Sequence, residues 1–334
     1  MSHDIVAEGI DKLISVDYTA RGAITDLYAA ARAQAGAPLV GVAVDALAAR
    51  LKPGDRVLLL TGFPSRSWLI DGLTENDGPA GAGYLARALE EAFQVVPIVV
   101  TDGRLIRYSE VALRGAGLIV TDLDRALRSK PGPPAAACAA VVPFTCEEDE
   151  ARKEARALLE FLRPAAVIAI EMPGRNKDGR YYNVSGREVP THLVAKLDVL
   201  TEVAAANGVL TIGIGDGGNE IGMGNIRETV ERCVKHGETI ACNVRVDCLI
   251  AACISNWGAY GLGAAALFRA GKPELIDAID IERIIRLCAD AGAIDGLSAK
   301  VDLFVDGTPA AMNRYVVEMM GFLARSAASG WKKG

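Results

Sequence analysis

Short apolar runs return along this sequence with longer amphipathic stretches between them, and that rhythm most limits what the chain can become. "RVLLLTG" (56–62), "VVPIVV" (95–100), "GLIVT" (117–121), "AAVVPF" (139–144), "AAVIAIE" (165–171) and "VLTIGIG" (209–215) are too short for buried helices and read as buried strands. "PLVGVAVDALAARL", "AGAGYLARALEEAF", "EEDEARKEARALLEFL" and "THLVAKLDVLTEVAAANG" space their apolar residues as helices do, and the last ends on Asn207-Gly208, a C-cap signal. Strand, helix, strand in this order predicts an α/β fold: a mostly parallel sheet with helices on both faces, three layers in all. Helical segments are expected at both ends. The chain reads as a single domain over 1–334, with a helical N-terminal segment (1–50), a sheet core carrying the motifs (51–262) and a mainly helical C-terminal segment (263–334). The one Pro/Gly-rich stretch, "SKPGPPAAA" (129–137), reads as a loop, and no internal repeat is present.

Composition removes several classes. Of 334 residues 51% are hydrophobic and 23% charged, enough to build a core. The net charge is −6 with no basic block, so no nucleic-acid partner is expected, because phosphate binding needs clustered Lys and Arg. No run approaches the roughly 18 apolar residues of a membrane span. The start, "MSHDIVAEGIDKL", carries acids and no apolar core, so it reads as no signal peptide, and a cytoplasmic location is expected. The seven cysteines are odd in number and contain no Cys-x-x-Cys pair, which predicts reduced thiols. His3, His192 and His236 are too scattered for a zinc site, so any metal would have to be held by oxygens.

Ligands of open parallel sheets bind beyond the carboxyl ends of the strands. Glu75 and Asp77 follow the first apolar run, Glu171 closes the fifth, and Asp216 and Glu220 follow the sixth. Asp247 sits in a later run, "NVRVDCLIAACISNWG". Each has an ordinary role open to it: Asp77 as the N-cap ahead of Pro79, Asp216 in a turn, Glu171 ending a strand in solvent, Asp247 paired with Arg245. Together they point to one carboxylate-lined site. Ionised carboxylates out of bulk water repel, and a hard divalent cation such as Mn²⁺ or Mg²⁺ removes that cost. On this reading the glycines of "TIGIGDGGNEIGMGN" (211–225) let the backbone turn tightly around the acids.

Two other readings use the same glycines. Gly213, Gly215 and Gly218 match G-x-G-x-x-G, but "NEIGMGN" is a poor first helical turn and Asp216 would face the pyrophosphate. "GDGGNE" is similar to a Mg²⁺-binding motif of haloacid-dehalogenase phosphatases, and "LIVTDLDRAL" (118–127) loosely resembles their nucleophile motif. There Ala126 stands where that motif has Thr or Val, and Glu220 where the first has Asp, which weakens Asp122 as a phosphoryl acceptor.

"TENDGPAGA", "AIEMPGRNKDGRYYNVSG", "IGIGDGGNEIGMGN" and "SNWGAYGL", in order over roughly residues 60–262, resemble the family of the C-terminal domain of D-glutamate cyclase. The resemblance implies an α/β enzyme acting on a small acidic molecule, D-glutamate closing to 5-oxo-D-proline with loss of water. It also implies a divalent-metal site, with Glu75, Asp77, Glu171, Asp216, Glu220 and Asp247 as the ligand set. Ring closure needs a base for the ammonium group, and one of the acids (Glu75, Asp77 or Glu171) or Lys177 is expected to serve. Arg175, Arg180 and Arg187 are expected as substrate clamps or else as solvated loop charges, with Tyr181, Tyr182 and Asn183 lining the same pocket. Two alternatives stay open: an Mn²⁺- or Mg²⁺-dependent phosphatase of a small phosphate ester, and a metal-stabilised binding protein without chemistry. Homo-oligomer formation is left open too.

Overall fold

The structure, a computed structural model, describes residues 2–18, 20, 22–130, 132 and 136–330. In chain order the strands are β1 (Arg56–Leu60), β2 (Val96–Asp102), β3 (Ile119–Val120), β4 (Cys138–Phe144), β5 (Ala166–Ile170), β6 (Tyr181–Tyr182), β7 (Glu188–Val189), β8 (Leu210–Gly215), β9 (Cys248–Ala251), β10 (Phe304–Val305) and β11 (Thr308–Pro309). The helices are α1 (Ser2–Ile14), α2 (Ala23–Ala35), α3 (Leu39–Arg50), α4 (Pro79–Phe93), α5 (Ile106–Gly115), α6 (Leu123–Arg128), α7 (Glu148–Leu162), α8 (Leu197–Ala206), α9 (Arg227–Cys233), α10 (Gly237–Ile240), α11 (Ser255–Arg269), α12 (Ile281–Asp290) and α13 (Ala310–Ala328). Four residues of the expected 129–137 loop, Pro131, Pro133, Pro134 and Ala135, lie outside the described residues.

Seven strands form one parallel sheet in the order β3-β4-β2-β1-β5-β8-β9, and β6–β7 and β10–β11 are small antiparallel hairpins. β5 is buried at every residue and β1 at all but its first, so neither alternates. That is the mark of a sheet covered on both faces. α7 shows the complementary pattern: Ala151, Ala155, Leu159 and Leu162 form one buried stripe, and Glu148, Asp149 and Glu150 load its first turn. Gly208, at φ 74°, ends α8 in the left-handed conformation that the Asn-Gly signal predicts. The start of that helix differs from expectation. Thr191–Leu193 is a single tight turn, and the α-helix begins only at Leu197. Buried Lys196 explains the break, because its Nζ donates to the carbonyls of Thr191 and Val194 at 2.6 and 2.9 Å.

Handedness then decides where a site can form. From β1 to β2 and on toward β3, the chain moves one way along the sheet, through α4 and α5. From β4 to β5 and from β5 to β8 it moves the other way, through α7 and α8. Right-handed crossovers place the two sets on opposite faces. Accordingly α4 packs on α5 and α11, and α7 packs on α8. Neighbours β1 and β5 therefore send their continuations to opposite sides, which opens a crevice at their carboxyl ends. Among the described residues no helix is long and apolar enough to cross a membrane.

Candidate active site

The acids that follow β1, β5 and β8 meet at this crevice. Glu75, Glu171, Asp216 and Glu220 line a cavity of about 230 Å³, together with Asp306. Asp77, 1% exposed, lies beside it. The carboxylates of Asp77, Asp216 and Asp306 can offer oxygens within 4.8 Å of one another, and so can those of Glu171, Asp216 and Glu220. Asp216 belongs to both groups. Glu171 reaches in because its own backbone is left-handed, at φ 44°.

Asp306 escaped the sequence reading. It comes from the two-residue turn between β10 and β11, where Asp306 and Gly307 have φ of 45° and 77°. Asp-Gly is the preferred pair for a turn with two left-handed residues, so "FVDGTP" did carry a hairpin signal. Nothing in that signal tied the hairpin to the crevice.

Backbone amides hold the acids. Asp77 is not the cap of α4, whose N-cap position is Gly78. Its Oδ1 accepts from Asn256 N at 2.7 Å and Gly78 N at 3.1 Å, and its Oδ2 from Ser255 N at 3.1 Å. Ser255 N also reaches Asp216 Oδ2 at 3.2 Å, and Ser255 Oγ donates to Glu171 Oε2 at 2.6 Å. Three carboxylates thus gather at the first turn of α11, the positive end of its dipole. Asn256 ties α11 to α4, with Oδ1 accepting from Gly78 N and Gly81 N at 2.9 and 2.7 Å. Glu220 accepts from Gly217 N and Gly218 N, each at 2.8 Å. This wrapping accounts for two of the glycines: a Cβ at Gly215 or Gly217 would lie 2.9 Å from the Glu220 side chain.

Burial pushes the carboxyls of Glu75, Asp77, Glu171, Asp216 and Glu220 above their usual range. After burial comes mutual repulsion: Asp306 acts on Glu75 and Asp77, Glu220 on Glu171, and Glu171 on Asp216. For Glu220 the loop amides oppose the rise. A polar atom completes the set. Asn219 donates Nδ2 to the Tyr182 carbonyl at 3.0 Å, leaving its buried Oδ1 in the cavity wall without a donor. Carboxylates and an unpaired amide oxygen form an all-oxygen donor set, which fits Mn²⁺ or Mg²⁺.

Other residues singled out in the sequence fall elsewhere. Asp247 is exposed at the amino end of β9, where its Oδ2 accepts from Thr211 N and Oγ1 at 2.8 and 3.0 Å. It lies at the opposite end of the sheet from the cavity and pairs with neither Arg245 nor the other acids. Arg175 is committed to α8 through Asp198 at 3.1 Å and Glu202, and Tyr181 shares Asp198 with it. Arg180 is exposed and bridges Glu188 at 3.1 Å. Arg187 stacks over the Trp68 ring at 4.3 Å, and Trp68 lines the cavity, so Arg187 stands at its rim. Lys177 is exposed on the loop after Asn176 and does not line the cavity. Asn183 does line it, and Tyr182 supplies the carbonyl that orients Asn219. Asp122 is exposed after edge strand β3 and caps α6 by accepting from Arg125 N at 2.9 Å, so no phosphoryl acceptor stands at the site there. No α-helix opens on Gly218, and the dinucleotide reading of the glycines lapses.

The sequence profile described as D-glutamate cyclase-like, C-terminal, matches residues 10–321, nearly the whole chain. This chain belongs to that family. Among curated proteins, the human "D-glutamate cyclase, mitochondrial" is 35% identical over 213 residues, which are 63% of this chain and 32% of the human protein. The match thus spans about a third of the curated relative. Within the D-glutamate cyclase-like family, the parallel sheet, the crevice between β1 and β5 and the acids gathered there form the frame for a functional reading.

Proposed function

We propose that this chain is a divalent-metal-dependent enzyme that closes D-glutamate to 5-oxo-D-proline with loss of water. The observation that carries the reading is the meeting of six carboxylates, brought by the segments after β1, β5 and β8 and by the β10–β11 hairpin, around one small cavity. The family relationship supports the choice of reaction, and the donor set supports the metal. Asp77, Asp216 and Asp306 would hold one Mn²⁺ or Mg²⁺ ion, with Glu171, Glu220 and the Asn219 Oδ1 as further donors. When bound, the ion supplies Lewis-acid polarisation of a substrate carboxyl.

The chain's own groups do the rest. In ring closure the amine nitrogen attacks the γ-carboxyl carbon and loses two protons, and the departing oxygen gains two and leaves as water. The site therefore needs one group that takes a proton from nitrogen and returns it to oxygen. Glu75 suits that task, because it faces the cavity but belongs to neither ligand group. Ser255 and the first turn of α11 keep Asp77, Asp216 and Glu171 in register. Seven cysteines without a disulfide support a reducing compartment such as the cytoplasm.

The test is chelator-stripped protein reloaded with Mn²⁺ or Mg²⁺ and given D-glutamate, with chiral chromatography of the product. Metal-dependent formation of 5-oxo-D-proline is expected, and Glu75→Gln should lower kcat by about 100-fold or more with Mn²⁺ affinity kept. No turnover by loaded protein would overturn the reading. Small phosphate esters form a second arm, since the same oxygens would suit a phosphoryl group and activated water; phosphate release alone would move the assignment to a phosphatase. Saturable D-glutamate binding without turnover would make the chain a binding protein.

A further inference from the structure

A cavity lined by carboxylates is a poor host for an anion unless a fixed cation is aimed into it. Among the described residues that line it, one is basic: Arg66, in the loop after β1. Its Nη1 donates to the Gly296 carbonyl at 3.0 Å and to Ser65 Oγ at 3.2 Å. Gly296 is wedged between two of the acids, since a Cβ there would lie 2.6 Å from both Glu75 Oε2 and Asp306 Oδ1. Those two bonds therefore fasten the guanidinium to the Glu75–Asp306 side of the cavity. Its charge acts on the nearby Glu75 carboxyl and opposes the rise that burial causes there, but it spends no hydrogen bond on it: the bonds it makes leave from Nη1, so Nε and Nη2 remain available to a ligand. The contrast with Arg175 and Arg180, both spent on ion pairs, is direct. Arg66 is also left-handed at φ 55°, a setting that side chains other than glycine adopt at a cost and that collects at ligand sites.

We propose that Arg66 is the receptor for the α-carboxylate of the substrate and thereby sets which amino acids the cavity accepts. The proposal rests on the cyclase reading given above. Ring closure consumes the amine and the γ-carboxyl, so the α-carboxylate is the one charged group shared by substrate and product. A cation anchored in the wall can hold that group throughout, and a guanidinium edge with two free donors matches it bidentately. Sequence reasoning passed over Arg66 because "FPSRSW" matches no motif and lies well before Glu75.

Calorimetry on Mn²⁺-loaded protein tests this with D-glutamate, 5-oxo-D-proline, D-isoglutamine (whose α-carboxyl is an amide) and inorganic phosphate. Arg66→Gln removes the charge, and Arg66→Lys keeps it without the bidentate edge. Unchanged Mn²⁺ affinity and melting temperature show that each variant is intact, and Arg66→Lys carries the test if Arg66→Gln does not fold. Wild type should prefer D-glutamate and 5-oxo-D-proline over D-isoglutamine by about tenfold or more. Arg66→Gln should abolish that preference and raise KM for D-glutamate with kcat little changed, and Arg66→Lys should fall between. If Arg66→Gln, or Arg66→Lys in its place, keeps the wild-type preference, the proposal falls and the cyclase reading stands. If wild type binds phosphate but no amino acid, and the variants lose phosphate, Arg66 remains the anion receptor while the cyclase reading falls. If wild type binds none of the four, both fall.

Discussion

At the residue scale, Asp216 carries the greatest burden, because it is the acid common to both ligand groups. Asp216→Asn should therefore reduce Mn²⁺ binding further than Glu171→Gln or Asp306→Asn, each of which touches one group. Asp247→Asn should leave Mn²⁺ affinity within about twofold and cost about 1 kcal/mol of stability through its bonds to Thr211. Calorimetric titration of the four variants checks the ranking, and equal losses for Asp216 and Asp247 would refute it. The same residues show what the sequence could convey. Asp216 follows its apolar run, and the carboxyl-end rule places it. Asp247 was grouped with the same acids, yet it precedes "CLIA" and so stands at the amino end of its strand, away from the crevice. Asp306 and Arg66 were out of reach, because a hairpin after the last sheet strand and an irregular loop find the crevice only through tertiary packing.

At the element scale, six of the seven strands of the main sheet and most helices were legible because burial on two faces and burial on one stripe leave different apolar periods; β9 and the short hairpin strands were not read as strands. The start of α8 was not legible either, since the pattern from Thr191 is helical and only the buried Lys196 amine diverts its carbonyls. The contact of α4 with α11 was also invisible, though it places Asp77. Gly81 lies on that seam: a Cβ would meet Asn256 Oδ1 at 2.4 Å and Asn256 Cα at 3.0 Å. Replacing a helical glycine by alanine ordinarily gains roughly 1 kcal/mol. Here overpacking of about 1–3 kcal/mol should outweigh it. Gly81→Ala should lower the melting temperature and weaken Mn²⁺ binding together, because Asp77 takes its bonds from the displaced turn of α11. A raised melting temperature would contradict this account of the seam.

At the scale of the whole molecule, the acids make stability depend on pH. The folded-state values of Glu75, Asp77, Glu171, Asp216 and Glu220 are raised, so the folded protein keeps protons that the unfolded chain has released. Their stabilising effect is whole below the ordinary carboxylate value near 4 and is lost as pH climbs through the folded values. Chelated protein should melt lower at about pH 8 than at about pH 5.5, and Mn²⁺, which binds the ionised acids, should raise the midpoint more at the higher pH. Paired melting curves check this, and a Mn²⁺ effect that shrinks with rising pH would exclude a carboxylate site. The β10–β11 hairpin adds a matter of timing. Every strand of the main sheet precedes it in the chain, and with Asp306 it brings in the last wall of the cavity. A growing polypeptide would have the whole sheet synthesised before its site had a full set of ligands, so competence is acquired at the end of assembly rather than with the core.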